Sequence, residues 1–524
     1  MERANLRPIR TDFAKSKRLP VSRVRARRSL IPALVVPGRP RHRPLLIGEV
    51  QPVHPAKKGG RLIAAQHGGA PTIMENDDTA ITVVAPGKSQ IVFAVVHLRT
   101  PVRHPPPPPE RSRRRHRLID SGAPVRLKRR MKKDHRSVVR RSRAPRSVSR
   151  PVSSPIHTSV VYASDDADQL DDQYEGRAEG YTYSREGHPN ATIVSEKIDW
   201  LEGMDESWGG GVLAASGMGA VSTVLLALLR RGDHIVAGDQ LYGRSLRLMR
   251  DDLPRMGFEA TLADPTDAAA VAAAIRPKTR LILVELVSNP TLRVADIEGI
   301  AQVAKERGVL LVVDNTFTTP RSFRPYEHGA DVVIHSLTKL LAGHSDAMLG
   351  YASARTAEMN KALYDTAVTW GFAPSPFDCW LAERGIATFE LRYDRAEENA
   401  AALADALAEV EGVKLVLYPG RPDHPDHNRA GALLDGRFGN MVSFTLDGGR
   451  ERVNRFLRAA EHIAFAPTLG DVGTTMSHPA SSSHRGLSEQ ERLSLGIEEG
   501  FIRLSVGVED FAQLSEEIIR AIRA

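Results

Sequence analysis

The 524-residue sequence predicts an α/β fold with a largely parallel sheet, followed by a smaller α+β module, and three observations carry that prediction. Between Gly209 and Ile334, short apolar runs alternate with amphipathic or alanine-rich segments of about ten residues, the pattern of strands joined by helical crossovers. The runs Leu281–Leu286, Val309–Val313 and Val332–Ile334 are continuously apolar, as strands covered on both faces require. Two of them end in chemistry: the second runs into Asp314, and the third into His335, Ser336, Thr338 and Lys339. In an open α/β sheet, that carboxyl edge is where ligands bind.

Taken in order, Pro151–Ser164 reads as an extended arm and Asp165–Gly180 as an acidic loop. A helical pattern spans Val194–Leu201. A short strand at Val212–Ala214 passes through Ser216-Gly217-Met218-Gly219 into a helix over Ala220–Arg231. Strands at His234–Ala237 and Glu259–Leu262 flank a helix at Ser245–Met256. Asp267–Ile275 is an alanine-rich helix, and Ile297–Arg307 is a helix ended by Gly308. The second module opens near Glu390 with a helix over Ala396–Val410, continues with strands at Leu415–Tyr418, Asn440–Leu446 and Phe501–Ser505, and closes with an amphipathic helix at Phe511–Ile522.

The net charge of +9 is unevenly distributed. Residues 1–150 hold 36 Lys+Arg against 9 Asp+Glu, net +27, whereas the remainder holds 36 against 54, net −18. The body is therefore acidic and gives no electrostatic reason to seek a polyanion. The first 150 residues are Arg- and Pro-rich without helical or strand period, so disorder is expected there. They read as an over-long start, with Met131 a natural beginning, as a solvated basic tail, or as an organellar transit segment. A nucleic-acid-binding arm is the rival function from another class. No apolar run approaches the ~20 residues of a membrane span. The single cysteine, Cys379, excludes an intrachain disulfide and suits a reducing, cytoplasmic setting. His335 and His344 lack ligand spacing, so no metal is expected.

The chemistry-bearing residues each admit two readings on their own. Lys339, followed by Leu-Leu-Ala-Gly, is either a surface amine or a partly desolvated one of the kind that forms Schiff bases. Ser216–Gly219 before a helix is either an ordinary turn or a phosphate cradle of backbone N–H groups, and it does not match the nucleotide-binding P-loop. Asp314 is a loop cap or the acid that keeps a heterocyclic ring nitrogen protonated. Arg503, opposite in direction to Ile502 and Leu504 on its strand, needs either a structural carboxylate or a substrate's.

From about Pro151 to the end, eight blocks occur in order: YTYSREGHPN, SGMGA, DQLYGRS, VELVSNPTLRVADI, VVDNTFTTP, DVVIHSLTKLLAGHSD, SPFDCWLAERG and FIRLSVGVED. In these the chain resembles the Cys/Met metabolism (trans-sulfuration) family of pyridoxal-phosphate (PLP) enzymes. The resemblance implies PLP-dependent transferase fold type I with a large domain at 196–390 and a small domain at 391–524. Lys339 becomes the Schiff-base lysine and proton shuttle. Asp314 pairs with the ring nitrogen, Asn289 contacts the ring oxygen, and Ser336, Thr338, Gly217 and Met218 hold the phosphate. Tyr242 stacks on the ring and passes a proton to the leaving group; Arg503 grips the α-carboxylate. Tyr183 and Arg185, in an arm over 151–195, match the pair that reaches the phosphate of a neighbouring subunit, so a homodimer is the smallest active unit and a homotetramer the usual assembly.

The implied reaction is γ-replacement or γ-elimination on a sulfur-containing or O-acylated homoserine-type amino acid, of the cystathionine γ-synthase or γ-lyase type. Sulfhydrylase, methionine γ-lyase and cystathionine β-lyase chemistry are the alternatives. Departures bear on specificity. The family's Ser-Leu-Gly is Thr468-Leu469-Gly470 here, Pro467 stands where cystathionine-handling members often carry Glu, and Arg244 adds a charge near Tyr242.

Overall fold

The computed structural model describes residues 147–524 and, before them, the backbone of three strands: β1 (Thr72–Glu75), β2 (Ile81–Val84) and β3 (Val92–Ala94). These pair antiparallel in the order β1-β2-β3 within a unit spanning Met1–Arg140. The expectation of disorder over 1–150 falls, apart from those strands and residues 147–150, outside the described residues. Arg141–Ala524 forms the second unit.

That unit is built on a seven-stranded sheet of β4 (Val212–Ala214), β5 (His234–Gly238), β6 (Glu259–Ala263), β7 (Thr279–Glu285), β8 (Leu310–Asp314), β9 (Val332–Ser336) and β10 (Gly350–Ala354). The order is β4-β10-β9-β8-β7-β5-β6. Strands β9, β8, β7, β5 and β6 run parallel; β10 alone is reversed, antiparallel to both β9 and β4. The chain first moves outward from β5 to β6, then returns beside β5 with β7 and proceeds through β8 to β9. This reversal opens a crevice at the carboxyl ends of the strands.

Both faces are covered, which explains the unbroken apolar runs. Leu281, Leu283, Val312, Val332 and Ile334 pack toward the helix Gly217–Leu228, while Ile282, Val284, Leu311 and Val313 pack toward the helix Ile297–Arg307. Each such buried side chain contributes about 1.5–3 kcal/mol, so the sheet is a rigid platform for whatever its edge carries.

A second sheet follows, with β11 (Val413–Leu417), β12 (Met441–Leu446), β13 (Ala464–Phe465), β14 (Thr475–Ser477) and β15 (Phe501–Ser505) in the order β11-β12-β15-β14-β13. Val442, Phe444, Ile502 and Leu504 face the helices Phe389–Ala408, Gly449–Ala459 and Phe511–Arg523. The opposite face carries Ser443 and its register partner Arg503, and Ser443 Oγ donates to Pro290 O at 2.7 Å. The polar face of this sheet is therefore laid against the segment that follows β7.

Three local expectations are corrected. The acidic loop contains a helix, Ala167–Tyr174, capped by Asp166, which accepts from Gln169 N at 2.8 Å; none of its residues is buried, so it has no apolar period to read. Strand β10 was not expected, because Gly-Tyr-Ala-Ser-Ala lacks the β-branched residues that mark a strand although every position is buried. The helix over Gly243–Met256 holds a π-helical turn at Leu248–Asp252. Among the described residues no helix is long and apolar enough to cross a membrane.

Candidate active site

Five carboxyl ends of the seven-stranded sheet bring the sequence candidates to one edge. Strand β4 leads into Ser216, whose Oγ caps the helix Gly217–Leu228 by accepting from Gly219 N at 3.0 Å. The first N–H groups of a helix, here those of Gly217 and Met218, lack intrahelical acceptors and sit at the positive end of its dipole. A Cβ at position 217 would stand 2.6 Å from Ser336 Cβ and 2.8 Å from its Oγ, so only glycine lets the helix start lie against the hydroxyl at the end of β9. Together they form a cradle suited to an anion. Thr338 closes the same turn but spends its Oγ1 on the backbone of Leu349, accepting from its N–H at 3.1 Å and donating to its carbonyl at 3.3 Å.

Strand β8 delivers Asp314. Its Oδ1 accepts from Thr316 N at 3.0 Å and from Thr316 Oγ1 at 2.5 Å. Burial raises its pKa, opposed by those two bonds and by His335. On β7, Glu285 is the register partner of Asp314 and accepts from Tyr242 N at 2.6 Å. That bond fixes the turn after β5, at which Tyr242 leaves a half-exposed ring at the crevice. Glu285 had not been recognised in the sequence. Its signal was an acid ending a strand that pairs with the strand ending in Asp314.

Lys339 is half-buried one turn beyond β9, and burial, followed by the field of Arg503, holds its pKa below the usual lysine value. One neighbour of its loop, Arg392, also escaped sequence reasoning. Arg392 donates to Leu340 O at 2.9 Å, Leu341 O at 3.1 Å and Gly385 O at 2.8 Å. Gly470 lies so close that a Cβ there would stand 2.9 Å from Lys339 C, which places the Thr468-Leu469-Gly470 block beside the lysine.

Arg503 reaches this cluster from β15. Its Nη1 donates to Asn289 Oδ1 at 2.7 Å and its Nη2 to Thr468 O at 2.5 Å, while its Nε is buried without a partner. Burial lowers its pKa to about 10. Both acceptors are neutral, and among the described residues no carboxylate pairs with this buried arginine. His484 is buried beside it, its pKa lowered to about 4 by burial and by Arg503. His478 is occupied structurally, by Ser481 Oγ at 2.8 Å and Glu499 O at 3.0 Å. Arg244 and Pro467 are exposed.

Tyr183 and Arg185 stand apart from this cluster. The Arg185 guanidinium lies 5.3 Å from the Tyr183 ring centroid and donates to Val368 O at 3.2 Å. Arg185 also borders a cleft of about 360 Å³ with His188, Ser195, Asn360 and Tyr364, which Lys339, Asp314 and Arg503 do not line.

An anion cradle, a buried acid, a desolvated lysine and an unpaired arginine suit pyridoxal phosphate, which offers a phosphate, a ring nitrogen and an aldehyde, and whose amino-acid substrates offer a carboxylate. Cystathionine gamma synthase from Xanthomonas oryzae pv. oryzae is 35% identical and superposes with a TM-score of 0.67, covering 71% of this chain and 93% of its own. The chain is a fold type I PLP-dependent enzyme. The family described as Cys/Met metabolism PLP-dependent enzyme matches residues 136–523, and the chain belongs to it. Cystathionine beta-lyase of Bacillus subtilis is 39% identical over 343 residues, 66% of this chain and 86% of the relative. Cystathionine gamma-lyase of the same organism is 38% identical over 371 residues, 71% and 94% respectively.

Proposed function

We propose that this enzyme performs γ-elimination or γ-replacement on a sulfur-containing or O-acylated homoserine-type amino acid, using Lys339, Asp314, Tyr242 and Arg503 at the crevice. The observation that carries the site assignment is the buried Arg503 held by two neutral acceptors beside a desolvated lysine. A substrate α-carboxylate supplies the anion that this arginine lacks.

The residues divide the work. Gly217 and Met218 N–H groups, with Ser336, would hold the phosphate, and Thr338 would join them by releasing its hydroxyl from Leu349 O; Asp314 would hold a proton on the ring nitrogen, and Asn289 would contact the ring oxygen. Bound pyridoxal phosphate supplies a carbonyl for the covalent link to Lys339 and a protonated ring that accepts the electron pair left at the substrate Cα. Lys339, its pKa lowered, is basic enough to take the Cα proton yet is readily deprotonated itself, as a shuttle between Cα and Cβ requires. Tyr242, its ring half-exposed at the crevice, hands a proton to the departing γ-substituent. Thr468, whose carbonyl fixes Arg503, lines the substrate side.

The chain divides in this reading into an arm at 151–195, a large domain at 196–390 and a small domain at 391–524. The arm serves a second copy: among the described residues Arg185 has an aromatic face and one carbonyl for its charge, which leaves it available to a neighbouring phosphate. A homodimer is then the minimal active unit and a homotetramer the assembly, with free amino acids as partners in the cytoplasm.

The deciding experiment is a substrate panel of cystathionine, methionine, and acetyl- and succinyl-homoserine with cysteine or sulfide, scored for keto acid against thioether. Keto acid or thioether formed by loss of the γ-substituent supports the reading. Predominant β-elimination from cystathionine rejects it. A protein that stays colourless with added pyridoxal phosphate rejects the site assignment as well.

A further inference from the structure

Glu285 and Asp314 end adjacent parallel strands in register, so their side chains leave the sheet on the same side, about 4.8 Å apart at the backbone. Two carboxylates so close, and each only partly reached by water, oppose one another's ionisation unless a cation lies between them. The ionisable group that faces Glu285 is Asp314, and the one that faces Asp314 is His335, whose ring is itself in contact with Glu202. Hydrogen bonds then separate the two acids. Asp314 accepts two, from the N–H and the hydroxyl of Thr316, whereas Glu285 accepts one, from the backbone of Tyr242. Donors aimed at a carboxylate favour its charged form, so the pair is biased toward a charged Asp314.

We propose that Glu285 is a neutral carboxylic acid at physiological pH, leaving Asp314 the charged member of the pair, while its carbonyl oxygen holds the Tyr242 backbone in place. Glu285 is thus a positioning residue acting through Asp314 and Tyr242, an assignment that rests on the roles given to those two residues above. Burial and the charge of Asp314 both push its pKa well above the usual carboxylate range, in accord with this division. A charged Glu285 would oppose the ionisation of Asp314, and with it the hold on the ring proton.

The test uses the protein without cofactor, so that it is separable from the enzymatic reading. Infrared difference spectra at pH 7.5 are expected to show the carbonyl stretch of a buried protonated carboxyl in the wild type. Glu285→Gln, which keeps an oxygen acceptor for Tyr242 N–H, is expected to lose that band. Asp314→Asn removes the neighbouring charge and is expected to keep the band while lowering the pH at which it disappears. A wild type without the band, or a band that survives Glu285→Gln and is lost in Asp314→Asn, overturns the proposal. In the PLP-bound enzyme, Glu285→Ala is expected to lower kcat about tenfold below Glu285→Gln, because only the alanine variant loses the tether on Tyr242; equal kcat values overturn the positioning role.

Discussion

Arg503 Nη1 donates to Asn289 Oδ1 at 2.7 Å, joining β15 of the five-stranded sheet to the segment that leaves β7 of the seven-stranded one. The guanidinium is thereby aimed, while its charge stays uncompensated. Charge-assisted hydrogen bonds contribute about 1.5–3 kcal/mol each, so Arg503→Ala is expected to lower kcat/KM by about a hundredfold or more with the lysine-bound cofactor absorbance retained. Asn289→Asp should raise KM by a different route, since the new carboxylate pairs with Arg503 in the substrate's place. Steady-state kinetics with absorbance spectra check both. A colourless Arg503→Ala protein assigns the arginine to folding.

The phosphate cradle makes a steric prediction. A Cβ at position 217 meets Ser336 at 2.6–2.8 Å, so Gly217→Ala must push the helix start away from the hydroxyl. Losing one charge-assisted bond is enough for about a tenfold drop in cofactor affinity. Fluorescence titration of cofactor-free protein with pyridoxal phosphate measures it, and an unchanged Kd moves the phosphate elsewhere.

Strands β7, β8 and β9 were legible because burial on both faces leaves an unbroken apolar run whose end is marked by a polar residue. Asp314 and Lys339 inherited that clarity, and Gly217 was marked by its place before a helix. Strand β10 was hidden by its small residues, and the Ala167–Tyr174 helix by its exposure. Glu285 and Arg392 were hidden for another reason: each matters through a neighbour distant in the chain, and one sequence does not display pairing between strands or a side chain that caps another segment's carbonyls. Asn289 and Arg503 were found singly, but their mutual bond was not.

The lysine-bearing loop depends on Arg392. Its three carbonyl acceptors include Leu340 and Leu341, directly after Lys339. A buried carbonyl left unpaired costs about 1–3 kcal/mol, so Arg392→Ala is expected to destabilise the protein by at least about 3 kcal/mol. Arg392→Lys should recover part of this, because one ammonium cannot reproduce a planar fork spanning three acceptors. Denaturant midpoints give the stability, and the rate at which the cofactor absorbance forms reports the position of Lys339. Slower capture by a still-folded Arg392→Lys protein is the expected result, and an unchanged rate confines Arg392 to stability.

Asp199 makes stability depend on pH in a direction opposite to that of most carboxylates. It accepts from Tyr351 O–H at 2.5 Å and from Gly211 N at 3.1 Å, yet burial outweighs both bonds and raises its pKa to about 6. Because the folded value lies above the unfolded one, the folded state binds the proton more tightly. Its stabilising contribution is complete below pH 4 and is lost as pH rises through 6. At roughly 1.4 kcal/mol per pKa unit, the loss across that window is at most about 3 kcal/mol, and less where water reaches the group. Asp199→Asn keeps an oxygen for Tyr351 and removes the titration. Urea unfolding at pH 4.5 and 7 should therefore show a smaller fall in stability for the variant than for the wild type. Equal falls in the two proteins would place the titrating group elsewhere, with Asp239, whose pKa burial and Asp264 also raise to about 6, the next to replace.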